Sequence, residues 1–381
     1  MLRQLSEEQQ MLQRTVREFV EGEIKPHAEA WDERQEFPAA VFRKFGEMGL
    51  LGMMVPTEYG GSGMDAPGVT MVLEEVGRGC AATALSLGAH AVLCANNLYR
   101  NASEEQRRKY LPDLCSGARL GGVAITEPGA GSDAVGMTTR AVRKGDKYIL
   151  NGTKMFITNG PVGGVFVVYA KTGEKGPKSL STFIVESGFP GFRVGKKLNK
   201  MGMRASPTSE LVFEDMEVPA GNRMGEENGG VAQLMRGLDI ERVTLAGISI
   251  GIAEASVAEA SRYALERKQF GKAIGEFQMV QKMIADMVTE TEAARALVYA
   301  AADAIAGGRR INREAAIAKL FASEVGTRAA MKAVQVLGGY GYIKEFPVER
   351  YARDAKLMEI GAGTSEVMRM IIARETLGRA V

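Results

Sequence analysis

The chain is poor in the residues that mark a metal centre or a histidine-driven active site. It has two histidines, His27 and His90, with no cysteine or histidine cluster beside either. That argues against a zinc site and against a histidine general base, and no metal is expected. The three cysteines, Cys80, Cys94 and Cys115, are odd in number and have no paired spacing, so they read as reduced thiols rather than a disulfide framework. An excess of charge of either sign is lacking too. Against 48 Lys and Arg stand 46 Asp and Glu, a net charge of +2, which gives neither nucleic acid nor an anionic membrane surface a handle. No apolar run reaches membrane-spanning length. The N-terminus, MLRQLSEEQQML, carries acids early and has no apolar stretch, so neither a secretory signal nor a transit peptide is expected. The expected location is cytoplasmic, with a processed mitochondrial matrix form as the other placement. An enzyme of this composition must rely on carboxylates or a cofactor.

What is present is an ordinary globular composition, 45% hydrophobic and 25% charged over 381 residues, long enough for two or three domains. Residues 3–30, 37–49, 67–100 and 103–116 read as helices, the last opening on the capping box SEEQ. From Gly121 the runs DKYILNGTKMFITNG, GVFVVYAKT, LSTFIVES, GFRVGKKL and SELVFEDMEV are short, rich in Val, Ile, Phe and Tyr, and separated by turn residues. They predict an antiparallel β domain, a barrel or sandwich, with a barrel preferred. No helix of ten residues separates them, which disfavours a Rossmann unit. Beyond Gly230 the spans 231–268, 277–307, 312–337 and 369–377 read as long helices, as in a four-helix bundle. The expected fold is mainly α with a central β domain: an N-terminal helical domain over 1–120, a β-barrel over 121–229 and a C-terminal helical bundle over 230–381.

Several segments could carry chemistry. In LMRGLDIERVTLAGI, the apolar stripe Leu234, Leu238, Leu245, Ile248 is completed by the carboxylate Glu241, and Arg242 follows it. Adjacent opposite charges usually form a solvated face. Held in an apolar interior instead, Glu241 would have a raised pKa and serve as a proton acceptor. The loop ITEPGAGSD (125–133) combines close-approach glycines with the hydroxyls of Thr126 and Ser132, suited to phosphate or a heterocycle edge. About thirty residues on, MFITNG places Phe156 and Thr158 on one strand face around Ile157. ERKQFG ends a helix at Arg267, QVLGGYG ends another at paired glycines, and RDAKLMEIGAGTSE is a glycine-loosened run into the last helix.

Together, TEPGAGSD, ITNG, ERKQFG with Gln278, QVLGG-YG and RDAK-x5-GAGTSE, in this order over nearly the whole chain, resemble the acyl-CoA dehydrogenase family. These flavoproteins oxidise acyl-CoA thioesters at Cα–Cβ. The resemblance implies FAD as cofactor, with its isoalloxazine ring against Ile125, Thr126, Gly131 and Ser132 of the loop and Phe156, Ile157 and Thr158 of the β domain. Thr158 is expected to hydrogen-bond flavin N5. Phe156 stands where the family usually has tryptophan; it can still cover a flavin face but lacks the indole N–H. Arg267, Phe270 and Gln278 would hold the adenosine diphosphate half of a neighbouring subunit's FAD, lined by Gln335, Gly338 and Gly339. Thr364 and Glu366 would close over the dinucleotide.

The chain departs from the family at Ala362, where most relatives carry the catalytic glutamate in a Tyr-Glu-Gly-Thr segment. It reads Gly361-Ala362-Gly363-Thr364, as does the isovaleryl-CoA subgroup. That subgroup takes its base from a Leu-Asp-x-Glu-Arg segment, here Leu238-Asp239-Ile240-Glu241-Arg242. By resemblance Glu241 is the catalytic base that removes the α-proton while hydride passes to flavin N5. The Ala362 amide and a ribityl hydroxyl would hold the thioester oxygen, and Asp239, Arg242 and Ser132 the pantetheine arm. Gly361 and Gly363 open the acyl pocket, which points to a short branched acyl-CoA like isovaleryl-CoA. A citronellyl-type or medium-chain thioester, or a redox-silent acyl-CoA/FAD scaffold, are the other readings. An electron-transfer flavoprotein as acceptor, a homotetramer built as a dimer of dimers, and a place in branched-chain amino acid or fatty acid oxidation follow from the same resemblance.

Overall fold

A computed structural model describes residues 5–173 and 179–378. Positions 3–4 of the first expected helix and 379–381 of the expected C-terminal domain lie outside them. Seven helices come first: α1 (Glu7–Phe19), α2 (Ala28–Arg34), α3 (Ala39–Glu47), α4 (Ala66–Gly79), α5 (Ala81–Gly88), α6 (Asn97–Asn101) and α7 (Glu104–Ser116). Wide helical turns at Val20–Ile24 and Ala89–Asn96 join α1 towards α2 and α5 to α6. The capping box read in SEEQ is formed: Ser103 Oγ accepts from Gln106 N, and the Gln106 amide oxygen accepts from Ser103 N.

Eight strands follow: β1 (Gly121–Ala124), β2 (Arg140–Lys144), β3 (Lys147–Thr158), β4 (Val165–Lys171), β5 (Leu180–Glu186), β6 (Phe192–Lys197), β7 (Thr208–Pro219) and β8 (Arg223–Met224). They form one sheet in the order β6-β7-β3-β2-β4-β5-β8, with β1 added on β4. The expected antiparallel barrel is therefore corrected. The end strands β6 and β8 do not pair, so the sheet is open, and β1 and β2 run parallel to β4. Alternation tells which side chains face inward, but closure depends on tilt and stagger between strands, which alternation does not encode. Register shifts at Leu150/Gly152 and Lys154/Ile157 bend β3, so the sheet wraps its own core of Tyr148, Leu150, Phe166, Phe183, Leu211 and Phe213. Strand β4 is buried on both faces. Its other face, Val165, Val167 and Tyr169, packs on the helical side with Leu98, Leu111 and Leu234.

The chain then enters α8 (Gly230–Glu266), crosses a small hairpin of β9 (Lys268–Gln269) and β10 (Lys272–Ala273), and continues as α9 (Gln278–Ala306), α10 (Asn312–Leu337), α11 (Val348–Met358) and α12 (Ser365–Leu377). Helix α11 was not anticipated. Its second half, RDAKLM, falls in the segment expected to be loosened by glycine, yet Arg350, Tyr351, Asp354 and Ala355 are buried on one face of a full helix. The glycines fall after it, at 361 and 363. The last helix starts four residues earlier than expected because Thr364 Oγ1 caps it, accepting from Val367 N at 3.2 Å.

Helix α8 is the axis of the molecule. Between Ile240 and Ser256 it is buried almost all round rather than along one stripe. It is long and apolar enough to cross a membrane by length and composition, but 78% of its most apolar window is covered by protein. Two glycines let it cross α4 closely: a Cβ at Gly247 would lie 2.6 Å from Thr70 O, and one at Gly251 2.3 Å from Glu74 O. A carboxylate on this stretch is therefore in the interior.

Candidate functional site

Glu241 is 8% exposed and Arg242 6%, so the solvated-face alternative does not hold. Glu241 forms one wall of a cleft with Leu234 and Leu238 of α8, Val92 and Asn96 of the Ala89–Asn96 turn, Val123 and Ile125 at β1, and Tyr169 of β4. A polar rim stands around it: Asn97 Nδ2 donates to Tyr169 OH at 3.2 Å, and Asn101 Nδ2 donates to Asn97 Oδ1 at 2.9 Å. Burial raises the Glu241 carboxyl to about 7, and the cations Arg242 and Lys319 keep it from rising further. A carboxylate with this pKa is a usable base near neutrality.

The Gly361–Gly363 turn is tied to the same place. Arg242 reaches Ala362 O through Nε at 3.5 Å and Asp239 through Nη1 at 3.2 Å, and Lys319 Nζ of α10 donates to Gly363 O at 2.6 Å. Ala362 has φ 57° and Gly363 φ 93°, a left-handed pair that a non-glycine residue resists. The Ala362 N–H makes no hydrogen bond among the described residues. Asp239, Glu241 and Arg242 of α8 and a turn 120 residues further on are thus brought together.

The Ile125–Asp133 loop is joined to β3 where Thr126 O accepts from Met155 N at 2.8 Å. Thr126 and Thr158 are half-buried, Ile157 is buried, and Gly131 and Ser132 are exposed. Phe156 has φ 61° and its ring is 62% exposed. The expected shared face is therefore altered: the bulge between Lys154 and Ile157 turns Phe156 out of the regular pleat. One feature of this wall was missed in the sequence. Lys154 is fully buried and its Nζ donates to Ile125 O and to Glu127 Oε1, each at 2.9 Å. The Glu127 carboxylate also accepts from Thr138 N, Thr138 Oγ1 and Thr139 N. The signal was a lone lysine in a strand and a carboxylate in the loop, 27 residues apart and legible as a pair only in three dimensions.

Arg267, Gln335, Gly338 and Gly339 form a second group at the C-terminal ends of α8 and α10. Arg267 and Gly339 line a cleft of about 400 Å³ with Tyr263, Gln269 and Tyr340, and the Arg267 guanidinium lies over the Tyr340 ring at 5.4 Å. Gln335 and Gly338 end α10 beside it, with Gly338 N donating to Gln335 O. Phe270 on the β9–β10 turn is 93% exposed, and Gln278 starts α9 at the surface. Glu366 is exposed in the first turn of α12, after half-buried Thr364. This second group shares no hydrogen bond with the Thr126–Thr158 wall among the described residues.

Both groups fit a dinucleotide. Gly129 and Gly131 on one side, and Gly338 and Gly339 on the other, have open space where a Cβ would project, so backbone can approach a ligand there. An exposed aromatic, Phe156, suits a planar ring, and Arg267 suits a diphosphate.

A buried carboxylate on a cleft of mixed polar and apolar lining, together with two open surfaces that fit a dinucleotide, fits a cofactor-dependent oxidoreductase with an α–β–α build. The chain belongs to the acyl-CoA dehydrogenase family. The profiles of the acyl-CoA dehydrogenase N-terminal, middle and C-terminal domains match residues 6–118, 122–216 and 228–377. Mitochondrial isovaleryl-CoA dehydrogenase of Pongo abelii is 46% identical over 375 residues, 97% of this chain and 89% of that protein. The short-chain-specific acyl-CoA dehydrogenase of Clostridium acetobutylicum is 45% identical over 370 residues, 97% and 98%. A chain solved in work on the electron transferring flavoprotein of Acidaminococcus fermentans superposes with a TM-score of 0.97 at 44% identity, covering 99% of this chain and 100% of that one. The FAD complex of PigA superposes with a TM-score of 0.96 at 32% identity, covering both chains fully. The protein is an FAD-dependent oxidoreductase.

Proposed function

We propose that this chain dehydrogenates a short, branched acyl-CoA at Cα–Cβ, with isovaleryl-CoA as the type substrate and Glu241 as the base. The observation that carries the reading is a buried carboxylate on a cleft whose wall it shares with Val92, Val123, Ile125, Leu234 and Leu238, in a chain whose position 362, the family's usual base, is alanine. Alanine cannot take a proton, so active chemistry needs a carboxylate from elsewhere. Glu241 accepts the α-proton, and its burial removes the water that would otherwise level its basicity. The free Ala362 N–H supplies a donor for the thioester oxygen as enolate charge develops. Asp239 and Arg242 order the entry to the cleft, and Ser132 the pantetheine arm. FAD, when bound, accepts the two electrons of the oxidation as a hydride. Ile125, Thr126, Gly131, Ser132 and Phe156–Thr158 would hold its ring, with Thr364 and Glu366 closing over it. Arg267, Phe270, Gln278, Gln335, Gly338 and Gly339 would hold the diphosphate half of a second copy's FAD. That assignment accounts for the exposed Phe270, Leu265 and Met279, which a homotetramer would cover. An electron-transfer flavoprotein is the proposed electron acceptor, supported by the flavoprotein work in which the similar chain was solved. Residues 1–120, 121–229 and 230–381 are proposed as the domain units.

The test is anaerobic mixing of the holoprotein with isovaleryl-, butyryl-, glutaryl- and citronellyl-CoA. Fastest bleaching of the flavin band by isovaleryl-CoA is expected; preference for a straight chain refutes the branched assignment, and no bleaching by any of them supports a redox-silent scaffold. The rate of bleaching is expected to rise with pH through a midpoint near 7, because Glu241 must be ionised to accept a proton. A stopped-flow series from pH 5.5 to 9 checks it. The acyl branch is expected to need Gly361, where an added Cβ would meet nothing nearer than Leu357 O at 3.5 Å. Gly361→Tyr is expected to cut kcat/KM for isovaleryl-CoA relative to butyryl-CoA by about 10–200-fold, the range that pocket fit commands.

A further inference from the structure

We propose that Lys319 is a positioning residue for proton abstraction: it clamps the left-handed Ala362–Gly363 turn against α8, so that the turn's free amide and the Glu241 carboxylate face one thioester. The proposal rests on Glu241 being the base. Lys319 is 3% exposed and comes from α10, the helix packed beside α8 and the Gly361–Gly363 turn. Its Nζ donates to Gly363 O at 2.6 Å, and Arg242 of α8 reaches the preceding carbonyl, Ala362 O, at 3.5 Å. Two cations from two helices thus hold consecutive carbonyls of one turn. The turn needs holding because alanine at φ 57° is sterically disfavoured and would relax without an anchor. A Cβ at Gly363 would meet Met368 Cε at 2.8 Å, so α12 lies close on that side. Without the clamp the turn shifts and carries its amide out of line with Glu241.

The same ammonium also acts through its charge. The charged groups around this region are Asp239, Glu241, Arg242 and the cleft-lining Arg236 from α8, the cleft-lining Arg100 from α6, Glu359 from the loop after α11, Glu366 from α12 and Lys319 itself; Tyr169 of β4 lines the cleft too. Of these, Arg242 and Lys319 are the cations that restrain the upward shift of Glu241.

The test uses holoprotein variants Lys319→Met, Lys319→Arg, Ala362→Gly and the Lys319→Met/Ala362→Gly double, with anaerobic flavin reduction by isovaleryl-CoA. Lys319→Met is expected to keep FAD, to slow reduction at saturating thioester by about 10–100-fold and to change the half-saturating concentration by less than about threefold, as a misplaced catalytic group does. Its pH midpoint is expected to move up by about one unit, since a cation near Glu241 is gone. Glycine at 362 adopts the turn without steric cost, so the double variant is expected to regain about fivefold or more of the lost rate. Lys319→Arg is expected to keep the wild-type midpoint. A wild-type rate and midpoint in Lys319→Met, or a slow rate that glycine at 362 does not relieve, overturns the proposal. If Lys319→Met does not accumulate as holoprotein, Lys319→Arg decides: a displaced midpoint in it overturns the proposal and a retained one supports it. Glu241→Gln separates the two ideas. If it reduces flavin at the wild-type rate, the base assignment fails; if it is inactive while Lys319→Met is normal, the clamp alone fails.

Discussion

Glu241→Gln is expected to bind FAD and isovaleryl-CoA but to reduce flavin at least about 10²-fold more slowly, and up to about 10⁴-fold, the span attributed to a positioned general base. Glutamine keeps the volume and polarity of the side chain and removes only the ability to take a proton. The thioester dissociation constant should therefore change little while the reduction rate falls. Near-normal bleaching would remove Glu241 from the mechanism. A second, non-kinetic consequence follows from burial. The Glu241 carboxyl is raised to about 7 in the folded chain, against about 4.3 in an unfolded one. Between those values the folded state binds more protons than the unfolded state, so wild-type stability falls as pH rises through this window. Glutamine carries no such dependence. The variant is expected to be more stable than wild type at pH 8, by roughly 2–3 kcal/mol, and closer to it at pH 5. Urea unfolding at the two pH values checks the sign. An equal difference at both would mean that Glu241 is not held in a desolvating site. A catalytic group that destabilises its own fold is a common cost of function.

Lys154→Met is expected to destabilise the holoprotein by about 3–5 kcal/mol, because it leaves Glu127 buried without its cation. Burial by itself would raise the Glu127 carboxyl. Lys154, with the donors from Thr139 and Thr138, brings it down to about 2 instead. The stability that this contributes is present above the usual carboxylate pKa and is lost as pH falls from there toward about 2. Functionally, the pair is what fastens the Ile125–Asp133 loop to the strand that carries Phe156 and Thr158. The variant should therefore also lose FAD on gel filtration. The double variant Glu127→Gln/Lys154→Met, with no buried charge left, is expected to recover much of the stability. If the single variant unfolds at the wild-type urea midpoint, the ion pair is not a structural tie.

The two sites differed in how far the sequence exposed them. Glycine-rich loops, the Glu241 segment and Ala362 were legible because each is a local run whose residue types restrict its chemistry. The absence of a base at 362 and the presence of one at 241 could be set against each other without coordinates. The Lys154–Glu127 pair and Lys319 were not legible. Each is one charged residue in an otherwise unremarked run, and its meaning lies in a partner 27 or 44 positions away. Helix α11 was obscured by the glycines that follow it, and Phe156 left its expected face because a bulge inserts a residue into β3.

The sequence by itself determined the α–β–α order, the family and the cofactor, since these rest on periodicity and on ordered local motifs. Tertiary structure decided the rest. It left the sheet open instead of closed, because closure is set by stagger between strands and not by alternation along them. It also turned Glu241 from one charge among 94 into a buried group of raised pKa, because desolvation is a property of what surrounds a side chain, and α8 is buried almost all round between Ile240 and Ser256.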